Sequence, residues 1–203
     1  MPLDLSMLED DVATIKRFLD SLEGKQSDCL RHMRECVMYA GKSINAIHNR
    51  DFKAGNLFLK KAHKELLALK HCAGDNFSHY VLHAEQEYSE AICFFSIVKD
   101  NVLPPRSTID PGVSEIAYLG SLCDLGGELR RHMLNLLIQG NLSRAREIFS
   151  LLEAIYLNVS VLKYSDSIVG DFRRKTDVLR VQVEQARSEF FSAGLKVKGD
   201  VRG

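Results

Sequence analysis

Apolar residues recur along this chain at intervals of three and four, not in strict alternation. That is the period of a helix with one buried stripe. Prolines stand only at Pro2, Pro104, Pro105 and Pro111, so 3–103 and 112–203 are proline-free. The pattern predicts an all-α chain of seven helices, over about 4–23, 26–49, 51–72, 77–101, 111–138, 142–164 and 171–193. Gly24 is placed at the end of the first. Asp51 is placed as the cap of the third, and Asp110 before Pro111 has the form of an N-cap followed by a first-turn proline. Gly140 takes the C′ position of the fifth helix. Ser165-Asp166-Ser167 and Gly170 mark a loop before the last. The chain reads as one domain, 1–203, with a linker at about 102–111 and a frayed tail over 194–203.

Two of these helices carry acidic pairs beside their apolar stripes. On the fourth, the stripe is Ala84, Tyr88, Ala91, Phe95 and Val98. Glu87 and Glu90 each precede a core position, so they flank the stripe instead of opposing it. On the fifth, Leu119, Leu122, Cys123, Gly126, Leu129, Met133 and Leu136 form the stripe, and Asp124 and Glu128 flank it. Residues three or four apart share a helix face, so each pair projects two carboxylates in one direction. Such charges are ordinarily the solvated side of an amphipathic helix. A carboxylate at the edge of a core is costly unless compensated, and a hard divalent cation with oxygen ligands is one compensation. Gly126-Gly127 in mid-helix points to a close approach, whether of a neighbouring helix or of a ligand.

Composition narrows the choice. The chain has 203 residues, 45% hydrophobic and 27% charged, with a formal net charge of zero. That is globular, and it argues against an open, non-specific nucleic-acid binder. Five cysteines (Cys29, Cys36, Cys72, Cys93, Cys123) show no CxxC and no metal-ligand spacing. Their odd number and the absence of a secretory pattern point to a reducing cytoplasm. No run approaches a transmembrane length, so no membrane partner is expected. Phosphate-binding loops and HExxH are absent. A di-iron bundle needs Glu-x-x-His, yet Glu90 follows Glu87 and Arg131 follows Glu128 at that spacing. His83 lies four residues before Glu87, and Arg130 and Arg131 follow Glu128. Basic triplets are usually solvated, but arginine also clamps phosphate. Arg173-Arg174-Lys175 opens the last helix against its dipole, a hint of an outside acidic partner such as a neighbouring subunit or a phosphate.

At this point the residues resemble a known family. Ala117-Tyr118-Leu119-Gly120-Ser121-Leu122-Cys123-Asp124-Leu125-Gly126-Gly127-Glu128-Leu129-Arg130-Arg131 resembles the signature of the translin/Trax family. Leu82 to Ala91 resembles the segment of Trax that carries its acidic pair. Arg173-Arg174-Lys175-Thr176-Asp177-Val178-Leu179-Arg180 is similar to the family's basic run opening the last helix. Arg34-Glu35 with Lys42, Ile44 and His48 resembles its N-terminal pattern. The resemblance spans about residues 28–193. It departs at Ala117, where the family has an aspartate, and at Leu125, where a polar residue precedes the motif glycine. The short link between the fourth and fifth helices implies a compact member, archaeal in type, that homo-oligomerises without a translin partner.

The resemblance implies a seven-helix translin-like bundle, a subunit of a hollow oligomer such as a homo-octamer. It implies a Mg²⁺-dependent (or Mn²⁺-dependent) endoribonuclease that cleaves single-stranded RNA by metal-activated water. Glu87, Glu90 and Asp124 match the catalytic, metal-binding carboxylates, with Glu128 as a further ligand and Glu35 as an additional acidic position. Lys42, His83, Arg130 and Arg131 are the expected RNA contacts. The alternative is a non-catalytic oligomer of translin type that binds single-stranded RNA or DNA. Three carboxylates facing an approaching phosphate speak against it, since like charges repel.

Overall fold

The computed structural model describes residues 6–200, with side chains over 7–193. Its helices are α1 (Ser6–His48), α2 (Phe52–Ala73), α3 (Ser78–Asp100), α4 (Glu115–Ile138), α5 (Leu142–Ser160), α6 (Asp166–Val169) and α7 (Phe172–Asp200), with a 3₁₀ turn at Arg106–Thr108. No strand occurs among the described residues. The all-α expectation holds. The number seven also holds, but for different pieces: the two helices expected on either side of Gly24 are one, and the loop before the last helix contains the single turn α6.

The pattern along α1 explains its length. Leu8, Val12, Ile15, Leu19 and Leu22 continue in heptad register into Cys29, Met33, Cys36, Ala40 and Ile47, with only Gln26 and Ser43 polar in the seam. A glycine inside a helix costs roughly 1 kcal/mol relative to alanine, too little to interrupt so long a seam. A Cβ on Gly24 would meet nothing within 4 Å, so no close approach requires a glycine there. From Cys29 onward the seam is covered by α2 and α3. Before it, Met7, Leu8, Val12, Ile15, Phe18 and Leu19 are exposed, so the start of α1 is an arm with an uncovered apolar stripe.

α1, α2 and α3 pack on one another, α3 packs on α4, and α4 packs on α5 and α7. The core runs through Leu66, Phe94, Ile97, Leu125, Leu129, Met133, Ile148, Leu152 and Leu179. The caps follow the sequence in part. The Asp51 carboxylate accepts from the Ala54 amide at 2.9 Å, and Gly140 stands at φ +75° just past α4. Asp110 does not cap α4. Gly112 sits at φ +89°, outside the helical region, and Ile109 and Val113 are buried, so this stretch packs down in irregular form. The cap is Ser114, whose hydroxyl accepts from the Ala117 amide at 3.3 Å. The link between α3 and α4 is tied to the body. Tyr88 donates to the Asp110 carbonyl at 2.9 Å, Tyr118 to the Pro104 carbonyl at 2.8 Å, and Lys70 to the Gly112 carbonyl at 2.6 Å. α5 stops at Ser160, short of the expected 164. The tail expected over 194–203 is helical as far as Asp200, and its last three residues lie outside the described span.

The two adjacent glycines of α4 have different tasks. A Cβ on Gly126 would overlap Leu179 Cδ1 of α7 and stand 3.4 Å from Leu152 Cδ1 of α5, whereas one on Gly127 would meet nothing within 4 Å. Tight helix packing therefore explains Gly126. Gly126→Ala is expected to destabilise by about 1–3 kcal/mol through overpacking. Gly127→Ala is expected to stabilise by up to about 1 kcal/mol through helix propensity. Urea unfolding of both variants checks this, and equal effects would contradict the packing argument.

Candidate functional site

The crossing of α3 and α4 brings the acidic pairs together. Ser121 of α4 donates to Ser89 of α3 at 3.0 Å, and both serines are buried. One turn away, the Gln86 side chain lies over Gly120. A Cβ at Gly120 would stand 2.9 Å from Gln86 Cδ, so glycine makes room for the amide to cross. Gln86 then donates through Nε2 to Asp124 Oδ2 at 2.6 Å. Lys175 of α7 donates to both oxygens of the same carboxylate, at 2.9 and 2.7 Å.

Glu87 and Glu90 lie in the same field. Burial pushes the Glu87 carboxyl above its ordinary value. Asp124 adds to the shift, and His83 and Lys175 oppose it. Burial lifts Glu90 well above the usual carboxylate range, and Glu87, Asp124 and Glu128 push the same way against Lys175. The four acidic positions named from the sequence therefore form one electrostatic cluster. No hydrogen-bond donor among the described residues reaches Glu87 or Glu90. Glu85 on the same helix shows what a structural buried glutamate looks like here. Lys70 stands 2.6 Å from it, and the Ser114 amide and hydroxyl donate to it at 2.9 and 2.6 Å.

Glu128 is held by a residue the sequence singled out only as part of the N-terminal pattern. His48, at the last position of α1, lies 2.5 Å from Glu128 through Nε2. Its ring is 3% exposed, packs 4.7 Å from the Phe94 ring, and leaves Nδ1 buried without a partner. His132 stands 6.4 Å away, ring to ring, and is pushed down to about 4, chiefly by burial and then by His48, Arg144 and Arg50. It is therefore neutral at neutral pH.

The expected RNA contacts do not all gather here. His83 is exposed one turn before Glu87. Arg131 is exposed and lies 3.7 Å from Glu128. Arg130 instead donates to Glu189 and Gln182 and ties α4 to α7. Lys42 sits on the α1–α2 face, 5.7 Å from the Tyr39 ring centre. Glu35, on α1, is not among the charges acting on Glu87 or Glu90. Lys175 is what the sequence reading missed. It was visible only as one of three basic residues opening the last helix, and the structure turns it inward while Arg174 pairs with Asp171.

A hard divalent cation fits the donor chemistry: four carboxylates on two helices, with Lys175 seated on Asp124 and with His48 and Arg131 beside Glu128. As they stand, no three His, Cys, Asp or Glu side chains among the described residues converge closely enough to hold a metal. The Lys175 ammonium is already seated on Asp124.

This arrangement belongs to a known class. The profile of the Translin family matches residues 42–196, and the chain belongs to that family. It is similar to the translin-associated protein X homolog of Schizosaccharomyces pombe, 25% identical over 206 residues covering 93% of this chain and 89% of the relative. It is also similar to an uncharacterized protein of Methanocaldococcus jannaschii, 26% identical over 195 residues covering 93% and 86%. Among solved structures, that of AfC3PO in complex with duplex RNA superposes with a TM-score of 0.82 at 28% identity, covering 92% of this chain and 97% of that one.

The raised Glu90 has a consequence for stability. Its folded-state value lies above that of the unfolded chain, so the folded protein binds the proton more tightly. The stabilisation from this group is complete below about pH 4.3, the ordinary glutamate value, and is lost as pH rises toward the folded value. Glu90→Gln removes that loss. In EDTA the variant is expected to melt above the wild type at about pH 8 and to match it near pH 4. Differential scanning calorimetry checks this, and a variant that melts lower at the higher pH would contradict it.

Proposed function

We propose that this chain is the subunit of an RNA-binding homo-oligomer that cleaves single-stranded RNA with Mg²⁺ or Mn²⁺. The observation that carries the reading is the pair of a half-buried Glu87 and a buried Glu90, mutually repelling and without a hydrogen-bond donor among the described residues, beside Asp124 in a Translin-family chain. Glu87, Glu90 and Asp124 would hold the cation, with Glu128 oriented beside them by His48. A bound Mg²⁺ supplies Lewis acidity toward the scissile phosphate and activates water. The chain's own residues supply the rest. Gln86 fixes the rotation of Asp124. The low exposure around Glu90 excludes bulk water and strengthens local electrostatics. Arg131 presents an exposed guanidinium and His83 an exposed imidazole beside the acidic cluster for RNA phosphates. The similarity to a protein solved with duplex RNA supports RNA as the polymer bound.

A reading without catalysis draws on a specific observation: Lys175 already neutralises Asp124, and no three ligands converge. The two readings separate in one assay. Labelled single-stranded and duplex RNA are incubated with wild type, Glu90→Gln and Asp124→Asn, in Mg²⁺ and in EDTA. Metal-dependent cleavage of the single strand is expected, falling by a hundredfold or so in each variant, because a metal contributes several kcal/mol and each tenfold is about 1.4. RNA bound but uncut by all three proteins would leave the binding role.

Self-association is supported by the uncovered stripe at the start of α1, where Leu8, Val12, Ile15 and Leu19 lie exposed on one face. Light scattering after size exclusion is expected to show an oligomer, with eight subunits as the expected number. Ile15→Asp with Leu19→Asp is expected to lower that number without loss of helix content. A monomeric wild type would refute it.

A further inference from the structure

We propose that Lys175 is a tethered cation for the acidic cluster. Its ammonium holds Asp124 in place when no divalent cation is bound, and releases the carboxylate when one binds. The inference rests on the metal reading above and concerns what the chain does before the metal arrives.

Several independent features converge on this lysine. Its Nζ is 2.7 and 2.9 Å from the two Asp124 oxygens, a bidentate seat like that of a small cation. The pair is largely withdrawn from water, with 14% of the lysine side chain and 28% of the aspartate exposed. The Lys175 charge also acts on Glu87 and Glu90, although its contacts are with Asp124 alone. Its place in the helix is otherwise unfavourable. Lys175 lies in the first turn of α7, where a positive charge opposes the helix dipole, and the Asp124 carboxylate offsets that. Of the basic triplet it alone makes this contact. Arg174 stays at the surface on Asp171, and Arg173 lines a separate surface cavity with Tyr164 and Asp177.

The charges do not balance. Glu128 has His48 and Arg131 beside it, but one ammonium cannot neutralise Glu87, Glu90 and Asp124 together, and burial penalises what is left over. A divalent cation relieves more of that repulsion than the lysine does. It must also displace the lysine, because two positive centres a few ångströms apart repel strongly at low dielectric. Lys175 therefore lowers metal affinity while holding Asp124, together with Gln86, in the metal-free state. It is a positioning residue, acting through Asp124.

The test is metal binding and stability, read without RNA. Mn²⁺ binding is measured by titration calorimetry for wild type, Lys175→Met and Glu90→Gln. Lys175→Met is expected to bind Mn²⁺ about tenfold more tightly than wild type, a change of about 1.4 kcal/mol. Its melting temperature is expected to fall below that of wild type in EDTA and to recover in Mn²⁺. An ordinary α4–α7 ion pair predicts an equal loss with and without metal and unchanged affinity, and that result overturns the proposal. In case the variant does not fold, the wild type supplies a second readout. Acetylation of Lys175 by an amine-reactive reagent, located by peptide mass spectrometry, is expected to rise several-fold on adding Mn²⁺. Unchanged labelling overturns the proposal. If wild type binds no Mn²⁺, or Glu90→Gln binds it equally well, the metal reading itself fails. If wild type binds and Glu90→Gln does not, yet Lys175→Met is no tighter, the lysine inference alone fails.

Discussion

Everything at the candidate site depends on how closely α3 and α4 approach. The contact is made by small groups: a buried serine on each helix, joined by a hydroxyl bond, and a glycine over which Gln86 crosses. Because the two backbones are near, carboxylates that merely flank each helix's core stripe face one another across the crossing. A bulkier pair at Ser89 and Ser121 would spread the helices, and the cluster would open to water. α7 is held against the other side of α4 by a different small residue, Gly126, which admits Leu179. That seat also sets where the first turn of α7, and with it Lys175, meets Asp124.

α3 carries glutamates in two different settings. Glu85 has a lysine, an amide and a hydroxyl around it, and it fastens α3 to the start of α4. Glu87 and Glu90 have only their mutual repulsion, softened by Lys175 and, for Glu87, by His83. A fold gains nothing from leaving buried carboxylates in this condition. The unfavourable electrostatics are local, confined to the crossing of α3 and α4.

Much of this was legible in the sequence. Proline-free stretches with a three-to-four period dictate helices, and the flanking positions of Glu87, Glu90, Asp124 and Glu128 follow from counting around the helix. What sequence could not reveal were the partners supplied from far along the chain. His48 reaches Glu128 across 80 residues, and Lys175 reaches Asp124 across 51. The basic triplet offers three similar charges, and only packing decides which turns inward. The start of α4 was misplaced because Asp110-Pro111 has the local form of a helix start. The burial of Ile109 and Val113 overrides that local preference. Gly24 misled for the opposite reason: a weak local breaker sits inside a long apolar seam that favours continuing.

That seam has a mechanical consequence. α1 is 43 residues long, a single rod of about 65 Å. One end presents bare leucines and isoleucines, and the other ends in His48, pressed on Phe94 and joined to Glu128. A rod without a joint transmits axial displacement and rotation along its whole length. The exposed arm and the residue that touches Glu128 thus lie on one helix, with the segment clamped by α2 and α3 between them.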